Sequence, residues 1–245
     1  MFAKSFTSQK GVFAFLLLLL LLIPNAHSAE RAGEYIILSG APSLKKWEKY
    51  RLEPHDHWWG NFIRAARVRI QQIRDQKGAK ALISWLVYRP GYLSRSIEDG
   101  RPLLSYIESV RDKYSVNLIY FDTTAQLLNY INHGMNRQEI KIVNFEFFGH
   151  SNRACFMFDY SNKIANGSKA WLHENDLKGA IARGIFDRRA YIKSWGCHTA
   201  ESMSKKWKWA TGRPMWGAIG KVDYSNGHLR GWVPALSNSD GRWAR

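Results

Sequence analysis

The sequence has only two cysteines and seven prolines among its 245 residues. A small domain held by many disulfides and a proline-rich linker protein are therefore excluded. It also lacks internal repeats and low-complexity stretches, which excludes a solenoid or a disordered tail. Acidic residues are few, 20 against 36 lysines and arginines, so the formal charge is +16. That charge predicts attraction to anionic surfaces such as phospholipid or nucleic acid, without specifying which.

A run long enough to cross a membrane is also missing. The longest apolar run, Val12–Ile23, has 12 residues, and a spanning helix needs roughly 18 or more. It follows Lys4 and Lys10 and precedes small residues at 26–29, an order typical of a cleaved signal peptide. We therefore expect residues 1–28 to be removed and the protein to be exported, to the periplasm or outside the cell.

Export changes the expected partners. The removed segment contains two lysines and no acid, so the mature chain keeps a formal charge of +14. An anionic envelope surface becomes a candidate partner, whereas a nucleic-acid partner is not expected. We expect no stable transmembrane segment and no cofactor.

Cys155 and Cys197 are the only cysteines, and an oxidising compartment favours their pairing. One disulfide between them would close a long loop and restrict the unfolded chain. A bridged sulfur cannot act as a nucleophile, so a non-catalytic binding protein with this disulfide remains an alternative to an enzyme.

What is present is a pattern of strands and helices. Residues 29–78 are interpreted as an N-terminal extension packed on the main domain, with a strand at Glu34–Leu38 and a basic amphipathic helix from Asn61. The apolar positions of that helix are Phe62, Ala66, Ile70 and Ile73. His55 and His57, beside two tryptophans, are candidate pocket residues.

Residues 79–245 alternate strands with helices before a loop-rich C-terminal part. Strands are predicted at Ala81–Tyr88, Val116–Phe121, Ile140–Phe148, Ala190–Trp195 and Pro214–Val222. Helices are predicted around residues 103–114, 124–133, 177–185 and 199–210. This alternation predicts an α/β fold with a mostly parallel sheet covered by helices on both faces. Functional residues are then expected beyond the carboxyl ends of the strands.

Two strand ends carry reactive side chains. Gly149-His150-Ser151 follows one strand, and Gly196-Cys197-His198 follows the next. If the two turns meet, His150 can take the proton of the Cys197 thiol and return it to a leaving amine. A helix beginning at Thr199 would favour the thiolate. The backbone N–H groups of Gly149 and Cys197 are candidate oxyanion donors.

These two motifs resemble the caspase-like cysteine peptidases, the fold shared by caspases, legumains, gingipains and bacterial relatives. In that superfamily a catalytic His follows one hydrophobic strand and the catalytic Cys follows the next. The resemblance covers about residues 79–225, and the order His150 then Cys197 matches it. It implies a bacterial-type member of that superfamily, a cysteine peptidase that acts on a peptide or protein. The sequence departs from the pattern because Gly149 precedes the His, where the family commonly has a Gly after it.

Other chemistries use some of the same residues. Gly149-His150-Ser151 begins like a serine-hydrolase elbow, with Ser151 as nucleophile, but Arg153 stands where the last glycine belongs. Zinc held by both cysteines with His150 and His198 is a further alternative, although the spacing fits no common zinc motif. Trp195 and Asp223 are candidate pocket residues, and Asp223 could accept a basic substrate side chain.

Overall fold

The structure is a computed structural model that describes residues 33–48, 58–159 and 170–245. The predicted signal peptide, residues 1–28, and both His55 and His57 lie outside the described residues. The described residues all belong to one structural unit.

A five-stranded parallel sheet forms the centre of that unit, in the order β3-β2-β1-β4-β8. Its strands are β1 (Gly33–Ser39), β2 (Leu82–Tyr88), β3 (Asn117–Phe121), β4 (Lys141–Phe148) and β8 (Phe186–Ser194). The predicted α/β class with a parallel sheet is therefore confirmed. Because all five strands run the same way, their carboxyl ends lie at one edge.

The strand predicted within the N-terminal extension is the middle strand of this sheet. β1 pairs with β2 on one side and with β4 on the other. Its residues Ile36, Ile37 and Leu38 are completely buried. Consecutive buried apolar residues, without alternation, are typical of a strand covered on both faces. Residues 33–39 thus belong to the core of the main sheet.

The helices connect the strands. They are α1 (Lys45–Glu48), α2 (Asn61–Lys77), α3 (Arg89–Asp99), α4 (Leu103–Tyr114), α5 (Thr124–His133), α6 (Leu177–Ala180) and α7 (Met203–Thr211). All four apolar positions predicted for α2 are buried. The prediction for α5 is confirmed, since the Thr123 side chain accepts a hydrogen bond from the Gln126 N–H at 3.2 Å and caps the helix.

Helices cover both faces of the sheet. Successive side chains of a strand point to opposite faces. On β4, Glu146 binds Arg69 of α2, whereas the neighbouring Phe145 packs on Trp207 of α7 with ring centroids 5.2 Å apart. Helices α2 and α7 therefore lie on opposite faces.

Part of the predicted basic face of α2 is used inside the molecule. The Arg74 guanidinium donates hydrogen bonds to the backbone carbonyls of Ala79, Ala81, Tyr114 and Ser115, at 2.6 to 2.9 Å. This arginine joins the end of its own helix to the end of α4, so it is not an open contact for nucleic acid.

Three predicted elements differ in the structure. The helix expected at 177–185 is a single turn, because Gly179 has a φ of +85° and Ile185 already leads into β8. The helix expected from Thr199 begins only at Met203, after a series of turns. The strand expected at Pro214–Val222 forms two short strands, β9 (Gly217–Ile219) and β10 (Val222–Asp223), each paired with another short strand. Trp216, just before β9, forms a parallel bridge to Lys193 of β8, so the predicted segment touches the edge of the central sheet. Helix α3 was not predicted, because Pro90 follows an apolar run at a position that also begins loops.

Small sheets surround the carboxyl edge. β5 (His150–Ser151), β6 (Cys155–Met157) and β7 (Trp171–His173) form an antiparallel sheet directly after β4. β9 pairs with β12 (Arg242–Ala244), and β10 pairs with β11 (Ala235–Leu236). None of the helices in the described part of the chain combines the length and apolarity that crossing a bilayer requires.

Candidate active site at the carboxyl ends of β4 and β8

The two predicted catalytic turns leave neighbouring strands at the same edge. β4 and β8 pair in parallel, with Phe147 opposite Ser194 near their ends. Beyond that register the Ser151 hydroxyl donates a hydrogen bond to the Cys197 carbonyl oxygen at 2.7 Å. The structure thus joins the turn that carries His150 to the turn that carries Cys197.

Glycines allow this close approach. A Cβ on Gly196 would lie 2.1 Å from the Ser151 Oγ, and a Cβ on Gly149 would lie 2.6 Å from the Phe147 ring. Neither space admits a methyl group without movement of the chain. Gly196 is therefore required where the two turns meet, and Gly149 is required where its own turn packs against the Phe147 ring.

Cys197 forms no disulfide, and its side chain is partly buried. The Val222 N–H donates a hydrogen bond to its Sγ at 3.3 Å, and the Val222 carbonyl oxygen lies 3.9 Å from the same sulfur. The contact at 3.9 Å, in which the thiol donates, favours the thiol, whereas the contact at 3.3 Å, in which the sulfur accepts, favours the thiolate; the shorter contact is the stronger one. This backbone N–H takes the place of the helix N-terminus expected at Thr199, since α7 begins farther along the chain.

His150 contacts an aromatic bridge that the sequence did not reveal. Its ring meets the Phe62 ring edge to face, with centroids 5.0 Å apart, and Phe62 meets Tyr224 in the same way at 5.0 Å. The Tyr224 hydroxyl donates to the Trp195 carbonyl oxygen at 2.9 Å. The bridge therefore runs from the predicted base to the turn that carries the predicted nucleophile. Phe62 had only been predicted as a core residue of α2.

The Trp195 side chain packs at the end of β8, next to the turn that carries Cys197. Its side chain is buried between Phe148 and Trp243, and its Nε1 donates to Glu146 Oε2 at 2.7 Å. This candidate pocket residue therefore faces the sheet, not an open cleft.

The buried Glu146 of β4 forms an ion pair with the partly exposed Arg69 of α2. The Glu146 side chain has no solvent exposure and receives hydrogen bonds from Arg69 at 2.8 to 3.1 Å. Burial lowers the pKa of the Arg69 guanidinium, but the hydrogen bonds and charge of Glu146 outweigh it and raise that pKa. The pair is satisfied, and it holds Trp195 through the second carboxylate oxygen.

Lys193 completes this buried cluster. Its Nζ lies 3.4 Å from the centre of the Trp195 ring system and 3.7 Å from that of Trp243. Burial, opposed by Glu146 and reinforced by Arg69, lowers the pKa of Lys193 to about 8. The sequence showed no signal for this cluster, because its members come from α2, β4, β8 and β12.

The second cysteine differs chemically from the first. Cys155 is free, and it pairs across β6 and β7 with His173. Burial, together with the charges of Asp176 and Glu174, raises the pKa of the Cys155 thiol to about 11. A raised pKa makes this cysteine a poor nucleophile at neutral pH. The structure contains no disulfide between Cys155 and Cys197.

Ser151 occupies a position that does not suit a serine nucleophile. It lies in β5, paired with Phe156 of β6, and its hydroxyl is used by the Cys197 carbonyl oxygen. The nucleophile of an α/β-hydrolase lies on a strand-to-helix turn. Here an antiparallel hairpin follows instead.

Asp223 is adjacent in sequence to Val222, whose backbone contacts the Cys197 sulfur. Its two carboxylate oxygens accept hydrogen bonds from the Ser225 N–H and hydroxyl, each at 2.7 Å. The carboxylate is thus held in place and partly exposed, at the end of a strand that touches Cys197.

His198 has a left-handed backbone, with a φ of +61°. Its Nδ1 lies 2.6 Å from Glu201 Oε1. Burial raises the pKa of Glu201, but the hydrogen bonds from His198 and from the Gly220 backbone outweigh it and lower that pKa. Sequence reasoning had noted His198 and missed Glu201.

Metal binding receives no support from the described part of the chain. There, no three His, Cys, Asp or Glu side chains are grouped so as to hold a metal ion. The zinc alternative for His150, Cys155, Cys197 and His198 therefore has no geometric basis.

Comparisons with protein-family models, with curated proteins and with solved structures found no match to this chain.

Proposed function

We propose that this protein is a cysteine peptidase of the caspase-like type, with Cys197 as nucleophile and His150 as general base and acid. The observation that carries the proposal is the meeting of two turns on adjacent parallel strands. A hydrogen bond of 2.7 Å from Ser151 to the Cys197 carbonyl joins them, and a backbone N–H donates to the Cys197 sulfur. The order of His150 and Cys197 on successive sheet neighbours also agrees with the resemblance to that superfamily.

The proposed reaction is acyl transfer through a thioester. The Cys197 thiolate attacks the peptide carbonyl carbon, and a C–S bond forms. The C–N bond then breaks, and His150 gives its proton to the departing amine. Water attacks the thioester, His150 takes the water proton, and the C–S bond breaks to release the acid and the thiolate. The Gly149 and Cys197 N–H groups are proposed to hold the oxyanion.

We propose that the substrate carries Lys or Arg at the cleaved position. Asp223 follows the residue that contacts the Cys197 sulfur, and Ser225 holds its carboxylate by two hydrogen bonds. A fixed carboxylate beside a nucleophile suits a basic side chain of the substrate.

A thiol-alkylating peptide probe tests the enzyme assignment. It should label the reduced wild-type protein and the control variant Cys155→Ala, and it should fail to label Cys197→Ala. His150→Ala should lower peptide turnover about 10²- to 10⁴-fold, the usual contribution of a general base. Equal labelling of Cys155, or no labelling under reducing conditions, would contradict the proposal.

We propose that the protein acts after export, as the N-terminal pattern suggests. N-terminal sequencing of the mature chain should find Ala29 as the first residue. A chain that retains Met1 in the envelope fraction would contradict this assignment.

A further inference from the structure

The residue after the proposed nucleophile has an unusual backbone. His198 and Ser115 are the two residues other than glycine with positive φ in the described part of the chain. Residues with a side chain rarely adopt this conformation, and where they do the surrounding structure must hold them. Ser115 ends a helix, a common place for it, whereas His198 lies in the turn that carries Cys197.

Two contacts hold His198 in that conformation, and a third closes them into a ring. Its N–H donates to the Gly220 carbonyl oxygen at 2.8 Å, and its Nδ1 lies 2.6 Å from Glu201 Oε1. The same Glu201 oxygen accepts a hydrogen bond from the Gly220 N–H at 3.1 Å. His198, Glu201 and Gly220 thus form a closed ring of contacts, which we call the clamp.

The clamp joins the two chain segments that meet at the sulfur. Cys197 precedes His198 directly, and Val222 lies two residues after Gly220. The Val222 N–H is the donor that points at the Cys197 Sγ at 3.3 Å. The clamp therefore holds one residue on each side of this hydrogen bond.

We propose that His198 and Glu201 are positioning residues, which keep the Val222 N–H on the Cys197 sulfur and so favour its thiolate. This inference rests on the proposed role of Cys197 as nucleophile. His198 thereby acts through the backbone and is not a second base.

The charges near the clamp let the experiment distinguish two roles of Glu201, because each role predicts a different direction of change in the Cys197 thiolate population. Glu201 interacts electrostatically with Arg153, Asp223 follows Val222, and His150 lies on the neighbouring turn. If Glu201 acted on the sulfur only by its negative charge, removal of that charge would favour the thiolate. The positioning role predicts the opposite, because loss of the clamp releases the donor.

The experiment measures the alkylation rate of Cys197 by iodoacetamide against pH, with peptide mass mapping and Cys155 as the internal reference. Glu201→Ala removes the oxygen that both clamp contacts share, His198→Asn removes the imidazole, and asparagine tolerates positive φ. Both should move the midpoint of the Cys197 profile up by about one pH unit, which slows alkylation near pH 7 about tenfold. Glu139→Ala, at an exposed site before β4, is the matched control and should leave the profile unchanged.

Hydrogen exchange at the Val222 amide is a second measurement. The exchange rate of this amide should increase in both clamp variants, while the amides of the core strands stay protected. A profile that stays in place or moves down, or an unchanged Val222 exchange rate in both variants, would overturn the inference and leave the peptidase assignment intact. A wild-type Cys197 that iodoacetamide does not label would overturn both.

Discussion

Replacement of Lys193 by methionine should stabilise the protein at neutral pH. Lys193 is only 9% exposed, and its ammonium lies between the rings of Trp195 and Trp243. Burial lowers the pKa of Lys193 from 10.5 to about 8. This lowering corresponds to about 3 kcal/mol against the charged form in the folded state. Methionine has a similar length and no charge, so it removes this cost.

The sign of the pH dependence follows from linkage. The unfolded chain holds the Lys193 proton more tightly than the folded one, so this residue destabilises the fold most below pH 8. The cost disappears as the pH rises from about 8 to 10.5. Between pH 7 and pH 9.5 the advantage of Lys193→Met should shrink by about 2 kcal/mol. Attraction of the ammonium to the two tryptophan rings opposes the burial cost, which makes this value an upper bound.

Urea unfolding followed by far-UV circular dichroism, at several pH values in this range, measures the difference. Lys208→Met is the matched control, because Lys208 is exposed on α7 and carries no comparable burial. Its effect should be small and independent of pH. If the difference between wild type and Lys193→Met stays constant from pH 7 to 9.5, Lys193 titrates normally and the reasoning is refuted.

Three further predictions concern other parts of the molecule. Gly196→Ala should destabilise the fold by about 1–3 kcal/mol, because its methyl group would overlap the Ser151 side chain; an unchanged urea midpoint with normal Cys197 alkylation would show that the turns do not need this contact. Asp223→Asn should lower kcat/KM about tenfold or more for peptides with Arg at the cleaved position and leave neutral peptides unaffected, and a uniform loss on both would remove Asp223 from specificity. Glu34→Gln should destabilise by about 3–5 kcal/mol, because Glu34 is buried and pairs with Arg137 while accepting from Ser84 and Tyr130; unfolding of Glu139→Gln is the control, and equal stability of the two variants would contradict this role.

The strands of the sheet could be predicted because each is a local apolar run with a clear end. β2, β3 and β4 lie within or overlap their predicted ranges, and the two turns with His150 and Cys197 follow their strands as expected. Helix α2 was equally clear, since its buried positions recur at helical spacing.

Local spacing was misleading between Leu177 and Ile185. The two residues and Ile181 between them are spaced by four, as in a helix, and all three are buried. The three side chains are buried although the backbone that carries them leaves the helical conformation within one turn. It does so because Gly179 has positive φ and β8 begins at Phe186. Burial of these side chains was readable from the sequence, but the path of the backbone between them was not.

The sequence by itself determined that the protein is α/β, that its strands are parallel, and that a histidine and a cysteine stand at two strand ends. Only the tertiary structure decided that β1 is the central strand and that β4 and β8 are neighbours. It also decided that Arg69 reaches Glu146 across 77 residues, and that Val222 reaches the Cys197 sulfur. The physical reason is that periodicity encodes which side chains are buried, whereas strand order and the partners of buried polar groups depend on how distant segments pack.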